Sequence, residues 1–321
     1  MKKLASIGIL IVTLGYMHGC GTQNSLVPQE EYLNSNGFEI EHNEEEGVIN
    51  ISPVGIDHVI LSQHAGEYFR PYIHPIIAPD GRGEFTEFRP SHHPHQTALF
   101  FGFPQVNGRD FYHNPTGGGP WRGDQFWSKV SAEVINEGSE DGVVRWKTVY
   151  DMLDIYGEVM MTETQIWSLQ RDNGKYLLDL EWSGEAKRDI TINRWEYGGL
   201  FLRMPWRDDI HAEAINSEGQ RNGEAEGERA KWVSLGMDIE GRDDDGNIAI
   251  FDHPENRGHP NAWRVDNQLG INPATARFGD WEIANGDTEV IRYRLVIFTG
   301  EFNHDEVMTA FEEYSGINEN I

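Results

Sequence analysis

This 321-residue chain has a single cysteine, Cys20, so no intrachain disulfide can form. It is short of basic residues: 26 Lys and Arg stand against 53 Asp and Glu, a formal charge of −27. Nucleic-acid phosphates and anionic membrane surfaces are gripped by clustered Lys and Arg, so this balance argues against both as binding targets. Beyond the first 20 residues no stretch approaches the ~18 apolar residues of a spanning helix. Alternating strand–helix units are also missing, which argues against a parallel doubly wound sheet. What remains is a chain with 38% hydrophobic residues, enough for a packed core rather than a disordered polymer. The acid excess reads as a solvated surface.

The N-terminus carries a leader. "MKKLASIGILIVTLGYMHGC" opens with two lysines, runs apolar from Leu4 to Leu14 and ends in small residues before Cys20. Residues 1–19 read as a signal peptide. Cys20 sits where a bacterial lipoprotein signal needs its acceptor, in "MHGC", although His18 is unusual there. The expected product is an exported lipoprotein, lipidated on Cys20 and anchored to the outer membrane at the periplasm or cell surface. Residues 20–37 are polar and rich in turn formers, and read as a tether. A single folded domain is expected over 38–321.

That domain reads as strands. "GVINISPV", "GVVRWKTVYDM", "YGEVMMTETQIWSL", "YLLDLEWSG" and "VIRYRLVIFTG" are β-branched and aromatic runs separated by turn chemistry. "RDNGK" joins two long alternating runs and predicts a two-residue hairpin. Only "HDEVMTAFEEYSG" has a helical period, with Val307, Ala310 and Phe311 on one side. The expected fold is all-β, a large antiparallel sandwich with a short C-terminal helix.

Three stretches concentrate chemistry. In "RPSHHPHQTALFFGFPQVNGRDFYH", His92, His93 and His95 fall within four residues, and Asn107 and Tyr112 follow. Arg70, Tyr72 and His74 lie just upstream, in a segment with five prolines that reads as a stiff, irregular loop. Four readings of "SHHPHQ" stay open: a metal site, acid–base catalysis, hydrogen bonding to sugar hydroxyls or a carboxylate, and ordinary loop packing. The metal reading is weak, because zinc needs three or four ligands and Pro94 disturbs the His93–His95 pair. The second stretch, "INRWEYGGLFLRMPW", pairs Tyr197 and Arg203 around two glycines, and arginine can hold a carboxylate or pair with a neighbouring acid. The third, "IFDHPENRGHPNAWRV", carries His253, Asn256, His259 and Trp263, residue types that suit a sugar ring or a packed turn.

The order "RPYIHP…SHHPHQ…FGF…VNGRDFYH", then "YGGLFLRMP", "IAIFDHPENRGHPNAWRV" and "RYRLVIFTG" resembles the secreted PmoA-like proteins over roughly residues 69–300. The resemblance implies export, association with polysaccharide degradation and a galactose-mutarotase-like sandwich. Gln96 stands where that family's pattern ends in histidine, which puts a metal ligand there in doubt.

Together these readings predict a carbohydrate-active lyase or dehydratase acting on uronate-containing oligosaccharides by β-elimination, with no cofactor and no metal. Arg203 or Arg70 would neutralise the carboxylate, His93 or His95 act as base, and Tyr72, Tyr112 or Tyr197 as acid. A hydrolase or epimerase is the alternative, with Glu196 and Asp252 as unpaired carboxylate candidates. A non-catalytic glycan-binding lipoprotein is the other.

Overall fold

The computed structural model describes residues 27–35, 37–114, 124–138 and 142–316. Cys20, the leader and the lipobox lie outside them. Among the described residues eighteen strands run in chain order. The first five are β1 (Phe38–Asn43), β2 (Val48–Pro53), β3 (Leu61–His64), β4 (Tyr72–Ile76) and β5 (Leu99–Gly102). Next come β6 (Trp127–Glu137), β7 (Val144–Leu153), β8 (Val159–Asp172), β9 (Lys175–Ala186), β10 (Ile190–Ile192) and β11 (Gly199–Leu202). Then follow β12 (Ala212–Asn216), β13 (Trp232–Asp238), β14 (Asp245–Asp252), β15 (Trp263–Val265), β16 (Ile271–Pro273), β17 (Trp281–Ile283) and β18 (Thr288–Thr299).

They build two eight-stranded antiparallel sheets, ordered β1-β2-β3-β4-β5-β11-β16-β15 and β12-β13-β14-β18-β9-β8-β7-β6, plus the pair β10-β17. Strands β7, β8 and β9 alternate buried and half-buried residues, the period-two signature of a sheet with one face in the core. Across the sandwich, Phe101 of β5 stacks on Trp182 of β9 at 4.6 Å, and Trp146 of β7 donates to Gln63 of β3. This is the antiparallel β-sandwich expected from the alternating runs. The "RDNGK" turn forms as predicted: Asp172 pairs with Lys175, and Asn173 and Gly174 both take positive φ.

A helix, α1 (Gln29–Asn34), lies within the stretch read as a tether, and its Tyr32 is buried in the core beside His58. The folded part therefore reaches back to residue 27. The C-terminal helix α2 (His304–Ser315) is capped by Asn303, ends at left-handed Gly316, and buries Val307 and Phe311 against the second sheet. Among the described residues no helix is long and apolar enough to cross a membrane.

One strand corrects the sequence reading. Tyr72–Ile76, inside the proline-rich segment taken for a loop, is β4 and lies between β3 and β5 in the first sheet. Its register against β3 shifts between Leu61 and Gln63, so Pro75 falls where the ladder is interrupted and no amide donor is missed. On the inner side of this sheet Gln63, Ile73, Leu99 and Leu202 pair in sequence. On the outer side the same registers align His64, Tyr72, Phe100 and Phe201. That outer aromatic row is the floor of the candidate site.

Candidate active site

Two segments and two strand ends converge over Phe201. The loop before β5 folds into consecutive turns: His93 N donates to Pro90 O, Gln96 N to His93 O, and Arg89 N to Gln96 O. After β5, Asp110 accepts from the amides of Tyr112 and His113 through Oδ1, both at 2.9 Å. Its Oδ2 lies 2.8 Å from His113 Nδ1. Burial pushes the Asp110 carboxyl up, but the hydrogen bonds from His113 and Tyr112 outweigh it and hold it below its ordinary value. The other ring nitrogen of His113 lies 3.2 Å from the Tyr197 hydroxyl. A carboxylate, an imidazole and a phenol thus stand in one hydrogen-bonded line.

His95 faces His113 with ring centroids 4.8 Å apart, and His93 follows at 5.6 Å from His95. Burial, then the neighbouring His113, His93 and Arg70, drive His95 down to about 4, so its ring is neutral near pH 7. His93 is lowered by burial and by Arg203. Tyr112 is raised well above the usual phenol value by burial and keeps its proton. Together with Gln96, Arg264 and Asp266 these side chains line a pocket of about 170 Å³. Sites for drug-sized ligands run from roughly 300 to 1,000 Å³, so this one fits a single small ring.

His93, His95, Tyr112 and Tyr197 are therefore brought together as the sequence suggested. The two arginines assigned to the substrate are not free to reach it. Arg203 is fully buried: Nε donates to Gln96 Oε1 at 2.8 Å, Nη2 to Asp266 Oδ2 at 2.9 Å, and Nη1 to the Gln268 carbonyl. Gln96, buried at the end of the histidine cluster, is spent on that arginine. Arg70 is also fully buried, lies 3.4 Å over the Phe100 ring, and donates to the carbonyls of Tyr112 and His95 and to Thr97 Oγ1. It pins the two catalytic-looking segments to each other.

The remaining candidates lie elsewhere. Tyr72 stacks between His64 and Phe88 at the edge of the aromatic floor, and His92 is exposed beside His93. His74 faces a separate cleft. Asn107 caps a turn, exchanging hydrogen bonds with Asp189 O and Thr191 N. The third stretch is a buried knot rather than a sugar platform. Fully buried Asp252 accepts from Asn256, Asn261 and His259, His253 packs edge-on against Tyr314 of α2, and Trp263 is fully buried with its indole N–H on Ala230 O.

Sequence reasoning missed Asp110, Arg264 and Asp266, and left His113 without a role. The signal for the first pair was the Asp-x-x-His spacing in "RDFYH", which closes a tight turn. Arg264 and Asp266 come from β15 and its exit, far away in sequence. Arg264 is half-buried, donates to Glu226 and lies 5.9 Å from the Tyr197 ring centroid. Among the described residues no group of three or more His, Cys, Asp or Glu side chains is placed to hold a metal ion.

Residues 58–312 match the family model DUF6807, described as a family of unknown function. The chain belongs to the DUF6807 family. The family description carries no activity, and no curated protein matches the chain. Several solved structures are similar at a distance. A galactose mutarotase related enzyme from Lactobacillus acidophilus is 8% identical, with a TM-score of 0.36 over 81% of this chain and 97% of that one. A polysaccharide lyase is 9% identical, with a TM-score of 0.37 over 86% of this chain and 34% of the lyase. The GH36 α-galactosidase AgaB from Geobacillus stearothermophilus is 9% identical, with a TM-score of 0.39 over 81% of this chain and 41% of that chain. Likeness at this level carries no argument about what a DUF6807 chain does; that argument rests on the pocket.

Proposed function

We propose that this chain is a carbohydrate-active enzyme that binds a uronate residue at the end of an oligosaccharide and acts on it by β-elimination. The observation that carries the reading is the Asp110–His113–Tyr197 line opening into a pocket the size of one ring and walled by Arg264. Asp110 orients the imidazole and offsets the charge it gains, so His113 is better suited as base than His93 or His95. With its value near 4, His95 is a poor base at neutral pH and a good neutral hydrogen-bonding partner for a hydroxyl.

His113 Nε2 takes the proton from the carbon next to the carboxylate. The electrons of that C–H bond form the C=C bond, and the C–O bond at the β position breaks. Tyr197 gives its proton to the departing oxygen and recovers one from His113 across their hydrogen bond, which restores both groups. Arg264 faces the carboxylate whose negative charge grows as the proton leaves. The chemistry of these side chains needs no cofactor. The hydrolase alternative loses a candidate carboxylate, since Asp252 is buried and fully bonded. Export and lipidation at Cys20 belong to the same proposal, as they would put the enzyme where such glycans are met.

The test is incubation with a panel of uronate oligosaccharides, followed by absorbance and mass spectrometry. A new conjugated chromophore, with loss of water or cleavage of the chain, is expected. Gain of water without a chromophore would make the protein a hydrolase, and binding without turnover would make it a glycan-binding lipoprotein.

A further inference from the structure

A cleft of about 950 Å³ is lined in part by the histidine-bearing loop and takes no part in the chemistry above. It is lined by His74 of β4, by Glu84 and Phe88 of that loop, and by Ile210, Asp238 and Glu240. Phe88 stacks on His74 at 5.6 Å and on Tyr72 at 5.1 Å, so the ring in this cleft continues the aromatic floor of the small pocket. One loop thus presents Phe88 to the cleft and His93 and His95 to the catalytic pocket.

Charge decides what the cleft can hold. Its two arginines are already paired, Arg207 with Glu87 at 2.9 Å and Arg242 with Asp80 and Asp244, both at 2.7 Å. Glu84 and Glu240 remain as acceptors beside Asp238, whose Oδ2 already takes the His211 amide, and Glu84 stands 3.5 Å from His74 Nε2. An anionic ligand would meet uncompensated carboxylates. A small inorganic cation would leave Ile210, Pro205, Ile239 and most of a cleft this size uncovered. A sugar without charge fits both surfaces, because its hydroxyls donate to carboxylates while its C–H face lies on an aromatic ring. The volume is at the upper end of the roughly 300–1,000 Å³ range of small-molecule sites and has room for several linked rings.

We propose that this cleft is a second saccharide site that takes an uncharged stretch of a glycan chain. The inference rests on the reading of the protein as carbohydrate-active, but not on the elimination chemistry. Its test therefore uses ligands without a uronate, so either reading can fail alone. The full chain is titrated with neutral tetrasaccharides of glucose, mannose, galactose and xylose, read by calorimetry and saturation-transfer NMR. At least one is expected to bind. Ile210→Trp, which puts a bulkier side chain into the cleft, should weaken that binding at least about tenfold, and Glu84→Gln by roughly threefold or more, while His113→Ala leaves it unchanged. Thermal unfolding of each variant checks that it is folded, and Glu84 is exposed enough to be replaced without disturbing the core. No binding by any neutral tetrasaccharide overturns the proposal. So does binding that His113→Ala abolishes and Ile210→Trp leaves intact, or selective binding of glucosamine and spermidine over every neutral sugar.

Discussion

The Nδ1 atom of His113 lies 2.8 Å from Oδ2 of Asp110, and the same carboxylate accepts the His113 amide, so side chain and backbone of one residue are fixed by another three positions away. This fixes the ring so that Nε2 faces Tyr197. Asp110→Asn keeps the size of the group and removes its charge. It should lower turnover on a uronate oligosaccharide by ~10²–10⁴-fold with little change in KM, because the charge matters most when His113 is protonated. His113→Ala should lose about as much, and the double variant little more than either alone. Steady-state kinetics on the four proteins, with unfolding curves alongside, check this. Losses that multiply in the double variant would mean the two residues act separately.

Arg203 bonds Asp266, Arg264 lies in the same pocket, and the two should fail differently. Arg203 is fully buried and holds Gln96, Asp266 and the Gln268 carbonyl, so Arg203→Met leaves the buried Gln96 amide oxygen without its donor and takes the cation from half-buried Asp266, whose Oδ1 keeps the Gln268 and Gly270 amides. A loss of about 1–3 kcal/mol is expected in denaturant unfolding. Arg264 is half-buried, and Arg264→Gln should cost little stability while raising KM for the uronate by about tenfold or more. A neutral analogue without the carboxylate is not turned over, and its binding, read by calorimetry, should be indifferent to Arg264→Gln. If it suffers equally, Arg264 is not the carboxylate partner.

These assignments mark how far the sequence could be read. The β8–β9 hairpin was legible because Asn173 and Gly174 adopt positive φ through local chemistry alone. The His93–His95 cluster was legible for a similar reason: its density is visible in one window. Arg203 was not, since its acid partner is 63 residues away and only the β11–β16 pairing brings them together. The Asp252 knot misled because a buried hydrogen-bonded cluster uses the same His, Asn and Asp side chains as a ligand site. Burial separates the two cases, and composition does not record burial. Strand β4 was hidden by prolines that the ladder accommodates at a register shift.

Lipidation is a separate expectation, from the leader alone. If Cys20 is the lipid acceptor, Cys20→Ala should leave the chain soluble in the periplasm or medium, with unchanged turnover. Fractionation of cells expressing both forms checks it. A variant that stays in the membrane fraction as before would remove the lipoprotein reading without touching the pocket.

Glu163 is a carboxyl fully buried in the core of the sandwich and, among the described residues, hydrogen-bonded by two neutral donors, Trp182 Nε1 at 2.8 Å and Gln165 Nε2 at 2.9 Å. Burial pushes it up to about 7, against the pull of those two bonds and of Arg70. The folded chain therefore keeps a proton that the unfolded chain has lost above its ordinary value of 4.5. Stability from this group is fully present below that value and is lost as the pH rises through about 7. The shift corresponds to roughly 3 kcal/mol. Two histidines bend the profile the other way. Burial lowers His74 and His95 to about 4, so their contribution is present above the ordinary histidine value of 6.5 and lost as the pH falls through about 4. Glu163→Gln imitates the protonated acid and cannot ionise. Subtracting its unfolding free energy from that of the unmodified chain at each pH cancels the histidines and leaves Glu163. The variant should gain on the unmodified chain steadily between about pH 5 and pH 8, by up to those few kcal/mol. A difference that stays flat across that range would mean the carboxyl is ionised in the folded protein throughout, stabilised by a partner other than the two neutral donors.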